Sequence, residues 1–84
     1  MKIDSLQDWT DVERELHAQI RMVRYNPDLH KMKRNLDVMV TELSKAEVEA
    51  RRLKNTKYLQ PKIDEINGAI DRMEKWILLL LLAQ

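Results

Sequence analysis

The sequence predicts an all-α fold, a coiled-coil-like bundle of three helices at about 5–25, 27–54 and 61–82, with an antiparallel helical hairpin and completion by oligomerisation. Two apolar ladders on helical spacing carry most of this reading. The first is Leu29, Met32, Leu36, Met39, Leu43, Ala46, Ala50, Leu53, and the second is Ile63, Ile66, Ile70, Met73, Ile77, Leu80. Both step by three and four, the spacing of an a/d seam. Composition is the third observation: 35% charged residues, 44% hydrophobic residues, a single Gly and no Phe suit long helices.

The first helix has two candidate starts. Ser5-Leu6-Gln7-Asp8 reads as a loose capping box, and Thr10-Asp11-Val12-Glu13, preceded by Trp9, reads as a fuller one. Leu6, Trp9, Val12, Leu16, Ile20 and Val23 form its apolar stripe, less regular than the later two. Acidic residues crowd its first turns and Arg21 and Arg24 its last, as the helix dipole favours. The helix is expected from Ser5 to Tyr25, with a first turn that can stand apart.

Asn26-Pro27-Asp28 is the sharpest boundary: an N-cap, a proline suited to the first helical position, and a carboxylate where the dipole is positive. The second helix is expected from Pro27 to Lys54. Glu42–Lys45, Glu47–Arg51 and Glu49–Arg52 are spaced to pair on its exposed face, each for about 0.2–0.5 kcal/mol.

Topology turns on Asn55-Thr56-Lys57-Tyr58-Leu59-Gln60-Pro61. From Leu53 the seam calls for apolar residues at 57 and 60, where Lys57 and Gln60 stand, and the ladder resumes one residue out of phase. A phase break beside a proline, preceded by an Asn that tolerates a left-handed C-cap, is most economically a turn. The third helix, Pro61 to Leu82, then folds back on the second. A single long helix kinked at Pro61 is the rival. Gly68 lies where helical periodicity passes straight through; an exposed helical glycine is favoured over a close helix approach.

At 84 residues the chain is read as one domain, 1–84, whose core is marginal without help. Cys is absent, which removes disulfides and thiolate metal sites and leaves oligomerisation as the stabiliser. Net charge is +1, so overall charge selects no partner class. By segment the balance is −1 over 1–27, +3 over 28–60 and −1 over 61–84, which favours a compact bundle. The opening Met1-Lys2-Ile3-Asp4-Ser5 turns polar at once and does not resemble a signal peptide. A cytoplasmic protein is the default expectation. A short Cys-free frame without targeting signal or motif suits a bacterial or phage-encoded accessory protein, acting in that case in the host cytoplasm or virion.

Chemistry is sparse. His17 and His30 lie on different helices outside any metal-binding spacing, and no phosphate loop, catalytic triad order or Cys nucleophile is present. No catalytic residue, cofactor or metal is assigned, and the chain is expected not to be an enzyme. Ile63-Asp64-Glu65-Ile66 with the Leu-rich turn after it resembles the first-helix pattern of the small all-helical chorismate mutases. The resemblance implies an intertwined helical dimer of similar length. That family places the pattern at its start and follows it with cationic substrate-binding residues, whereas here it falls in the last quarter, so no residue role carries over. Two basic clusters invite nucleic acid: Arg21, Arg24, Lys31, Lys33, Arg34, and Arg51, Arg52, Lys54, Lys57, Lys62, with Tyr25 and Tyr58 beside them. Of these Arg51, Arg52, Lys54 and Lys57 are the candidate contacts. In a hairpin the clusters fall at opposite ends, which disfavours this reading.

The strongest signal is Trp76-Ile77-Leu78-Leu79-Leu80-Leu81-Leu82-Ala83, apolar in every direction for two turns. A helix with one core-facing side needs a stripe only a little wider than 100°. Burying one Leu contributes about 1.5–3 kcal/mol, so leucines left outside the seam drive association. The run is well short of the ~20 residues that span a bilayer, and its flanking charge is mixed, which disfavours membrane contact. Trp76, Ile77, Leu78, Leu79, Leu81 and Leu82 are therefore the candidate interaction residues. The expected function is that of a small helical interaction protein, an assembly factor, adaptor or structural component that self-associates through this helix. An inhibitor that inserts the helix into a groove on another protein is the alternative.

Overall fold

The computed structural model describes residues 1–83. Its helices are α1 (Trp9–Arg21), α2 (Pro27–Leu53) and α3 (Leu59–Leu82), with short 3-10 turns at Leu6–Asp8 and Thr56–Tyr58. A rod of 49 × 17 × 17 Å results, about the length of α2 plus its connections, because α3 returns alongside α2 as an antiparallel partner. The rival long kinked helix is excluded. α1 packs against α3 within the same chain, and the α1–α2 connection (Val23 to Asn26) meets Leu80 and Ala83 at the far end of α3.

One core runs the length of the hairpin. α2 buries Leu29, Leu36, Leu43 and Ala50, every seventh residue, while Met32 and Met39 are half-buried between them. α3 answers with Ile66, Ala69, Ile70, Met73 and Ile77, and α1 with Val12, Leu16 and Ile20. Two ladder positions shift. Ala46 is only partly buried, and Leu53 is 43% exposed because the chain has begun to turn away from α3 there. No side-chain polar atom is buried without a partner among the described residues.

Boundaries follow local chemistry. The 3-10 turn Leu6–Asp8 runs directly into α1, with the Asp8 carboxylate accepting from the Asp4 and Ser5 amides (2.8 and 3.2 Å). The Ser5 start is therefore the real one; Thr10 already lies inside the helix and caps nothing. α1 stops at Arg21, short of Tyr25, because Asn26 must be extended to cap α2 and to precede a proline. The Asn26 side chain accepts from the Asp28 and Leu29 amides, and Pro27 takes the first position. Tyr25 stacks on His30 across this joint, with ring centroids 4.9 Å apart.

At the hairpin tip the left-handed residue is Lys54 (φ 53°), not Asn55. Its amide donates to the Arg51 carbonyl and that of Asn55 to the Ala50 carbonyl, the Schellman closure of a helix. Asn55 is extended instead, and its side chain caps the next turn through the Lys57 amide (3.0 Å). α3 then starts at Leu59, two residues earlier than expected, which puts Pro61 in the first turn where no amide partner is lost.

Two carboxylates expected in local pairs serve tertiary structure. Glu42 binds Lys62 of α3 at 2.7 Å, and this ammonium holds the Glu42 carboxyl below its usual range while its own pKa rises. Glu47 accepts from the Leu6 amide at 3.3 Å and so ties the start of the chain to α2. Glu49–Arg52 forms as spaced. Gly68 meets only the end of the Arg72 side chain, at 3.5 Å from where a Cβ would lie, so no helix approaches it closely.

The N-terminal arm is the largest departure from the sequence reading. Ile3 is fully buried and joins the core. The Asn67 side chain holds its backbone at both poles: Oδ1 accepts from the Ile3 amide at 2.7 Å, and Nδ2 donates to the Ile3 carbonyl at 2.9 Å. The Met1 ammonium reaches Glu74 one helical stretch further on, at 3.0 Å.

Two outcomes test these contacts. Lys54→Gly removes the steric penalty of a left-handed side chain, which outweighs the added freedom of the unfolded chain, and is expected to stabilise by up to about 1 kcal/mol in urea unfolding; destabilisation would contradict the turn. Asn67→Ala is expected to destabilise by about 1–3 kcal/mol, because it strips the partners from both the amide and the carbonyl of Ile3, which are part-buried. Asn67→Asp, which keeps only the acceptor, should fall between alanine and wild type near neutral pH.

Candidate functional site

The end of α3 presents apolar surface that the core does not use. α3 spends one stripe on the seam, so residues off that stripe remain outside. Leu78, Leu79 and Leu82 are 57%, 59% and 76% exposed, and Trp76 lies at the edge with 36%. Ile77 is different: it is buried, and its side chain belongs to the core rather than to a docking surface. Leu81 is half-buried against the same core. Thus three of the six candidate interaction residues lie largely outside, Trp76 and Leu81 are shared and Ile77 is internal.

Leu78 and Leu81 also line a groove of about 580 Å³ between α1 and α3, with Ile77 in its floor and Met1, Glu15, Gln19 and Glu74 around it. Exposed Met22 lies one turn beyond Gln19 on α1. Sequence reasoning missed these neighbours, since Met22 sits at a helix end and Glu15 reads as ordinary solvated surface. Val38 and Val48 on α2 are exposed singly, which is normal for the surface of a folded protein.

The basic candidates gather at the opposite end. Arg51 and Lys54 border a shallow depression at the hairpin tip with Glu47, Ala50, Thr56 and Leu59, and Lys57 is in the adjoining 3-10 turn. Arg52 is committed to Glu49. The other cluster lies across the rod, where Lys33 pairs with Asp37 at 3.4 Å and Arg24 sits near Leu80. The two clusters do not form one stripe that could follow a phosphate backbone.

His17 sits on the surface near Glu13 at 3.6 Å, and His30 is occupied by the Tyr25 stack. No group of three or more His, Asp or Glu side chains is placed to hold a metal ion among the described residues. No described helix is long and apolar enough to cross a membrane. The arrangement as a whole offers shape and apolar area rather than a set of converging reactive groups. Comparison with protein-family models, curated proteins and solved structures returns no match.

Proposed function

We propose that this chain is a helical interaction protein that self-associates through the C-terminal turns of α3, acting as an assembly or scaffolding element. The observation that carries the reading is the exposure of Leu78, Leu79 and Leu82 together on one helix end, after α1 and α2 have covered all they reach. Removing even part of that surface from water contributes about 25 cal/mol per Å², and a small core gains most from such help. A rigid helix held by its own hairpin loses little entropy when it docks, which favours association over a floppy hydrophobic tail.

Light scattering at micromolar concentration should find the wild-type chain as a dimer or larger. The triple variant Leu78→Ser/Leu79→Ser/Leu82→Ser should keep its helical circular dichroism, because none of the three is in the core, and run as a monomer. A wild-type monomer, or a triple variant that associates unchanged, would overturn the proposal.

A further inference from the structure

The first residues of the chain are held to the bundle by side chains. The Ile3 amide donates to Asn67, those of Asp4 and Ser5 to the Asp8 carboxylate, and that of Leu6 to Glu47. The Ile3 carbonyl accepts from Asn67, and the Met1 ammonium pairs with Glu74. Among the described residues no main-chain hydrogen bond joins residues 1–5 to α1, α2 or α3. Ile3 is the one buried side chain of this arm, while Met1, Lys2 and Asp4 are exposed. The arm can therefore leave without breaking a helical hydrogen bond and with the loss of a single core side chain. A segment with so few buried contacts opens at far lower cost than the fold as a whole.

The arm also lies on a particular side of α3. At about 100° per residue, Asn67, Glu74, Leu78 and Leu81 fall within about 60° of one another. The apolar neighbours of Asn67 on that side are Ile63, four residues before it, and Ile70, three after. Ile3, wholly buried and clamped by Asn67, covers this part of the face. Beyond Glu74 the same face is open. Leu78 and Leu81, with Ile77, line the groove of about 580 Å³ between α1 and α3, and Met1 lines it too. The seat of Ile3 and the open groove are thus two lengths of one furrow, and the arm fills one of them.

We propose that the arm is a releasable strap, an autoinhibitory contact that opens while the three helices stay folded. Open, it joins the seat of Ile3 to the leucine-lined groove. The result is one largely apolar face from Ile63 to Leu81, with Asn67 and Glu74 as its polar members. Closed, it leaves a second copy of the chain only the last turns of α3. The inference rests on the self-association reading and adds a control to it. The uncovered face runs straight into the surface proposed to pair, and a longer contiguous apolar patch drives association more strongly.

Hydrogen exchange and association, measured on the same full-length proteins, test it. In wild type the Ile3 and Leu6 amides should exchange at least about a hundredfold faster than that of Leu43, at rates unmoved by mild urea, as local opening requires. Exchange of these amides only together with the core would overturn the strap. Ile3→Ser removes the arm's buried side chain and Asn67→Ala its clamp; circular dichroism confirms that the helices form. Each variant is expected to dimerise at least about tenfold more tightly than wild type in sedimentation equilibrium, because each frees apolar area in both copies. Leu43→Val, which weakens the seam without touching the arm, should not tighten the dimer. If it does so equally, general loss of stability is the cause and the strap is wrong. A wild type that dimerises beside arm variants that pair no better overturns the strap and leaves the self-association reading standing. If wild type and variants are all monomeric, the self-association reading falls and the strap's control of it falls too.

Discussion

Burial of Leu29, Leu36 and Leu43 of α2 against Ile66, Ile70, Met73 and Ile77 of α3 is the interaction on which the other contacts depend. Neither helix is stable for its own sake in water, since helical stability in a protein comes mainly from packing an amphipathic face. The seam needs a reversal of the chain, which Lys54 supplies by adopting a left-handed conformation and Asn55 by capping the next turn. Once α3 lies along α2, its surviving surface forms a shelf for α1 and the N-terminal arm. Ile3 reaches the core only because Asn67 satisfies the backbone on either side of it.

The same seam explains why the end of α3 is left unfinished. α1 is half the length of α2 and docks along part of α3, so the leucines beyond Ile77 outnumber the positions available to bury them. Leu80 and Leu81 find partial cover, whereas Leu78, Leu79 and Leu82 find little. An apolar surface of this kind on an otherwise charged rod is what the proposed self-association rests on.

Much of this fold was legible in the sequence because heptad spacing and Asn-Pro capping report backbone geometry directly. The ladders located α2 and α3, and the phase break at Lys57 located the reversal. What escaped depends on partners distant in sequence. Ile3 lies in a short arm with no periodicity, and its receptor Asn67 looks like any polar residue on a helix. Glu42 and Glu47 have suitable partners three or four residues away, yet Lys62 and the Leu6 amide claim them. Local spacing could not foresee that choice. At the candidate site, sequence alone placed Ile77 both in the ladder and among the interaction residues; burial assigns it to the seam and leaves Leu78 and Leu79 outside, as their position off the ladder implies.

The intramolecular hairpin is tested most directly by a distance between its arms. The chain has no Cys, so spin labels can be placed cleanly through Asp28→Cys/Arg72→Cys, two positions that border the same depression between α2 and α3. Pulsed electron resonance on doubly labelled chains, diluted into excess unlabelled protein, should give a distance below about 25 Å, set by the spacing of two packed helices plus the label arms. A distance near roughly 65 Å, the rise of one uninterrupted helix between these residues, would contradict the hairpin. So would a short distance that disappears on dilution, since the seam would then lie between chains.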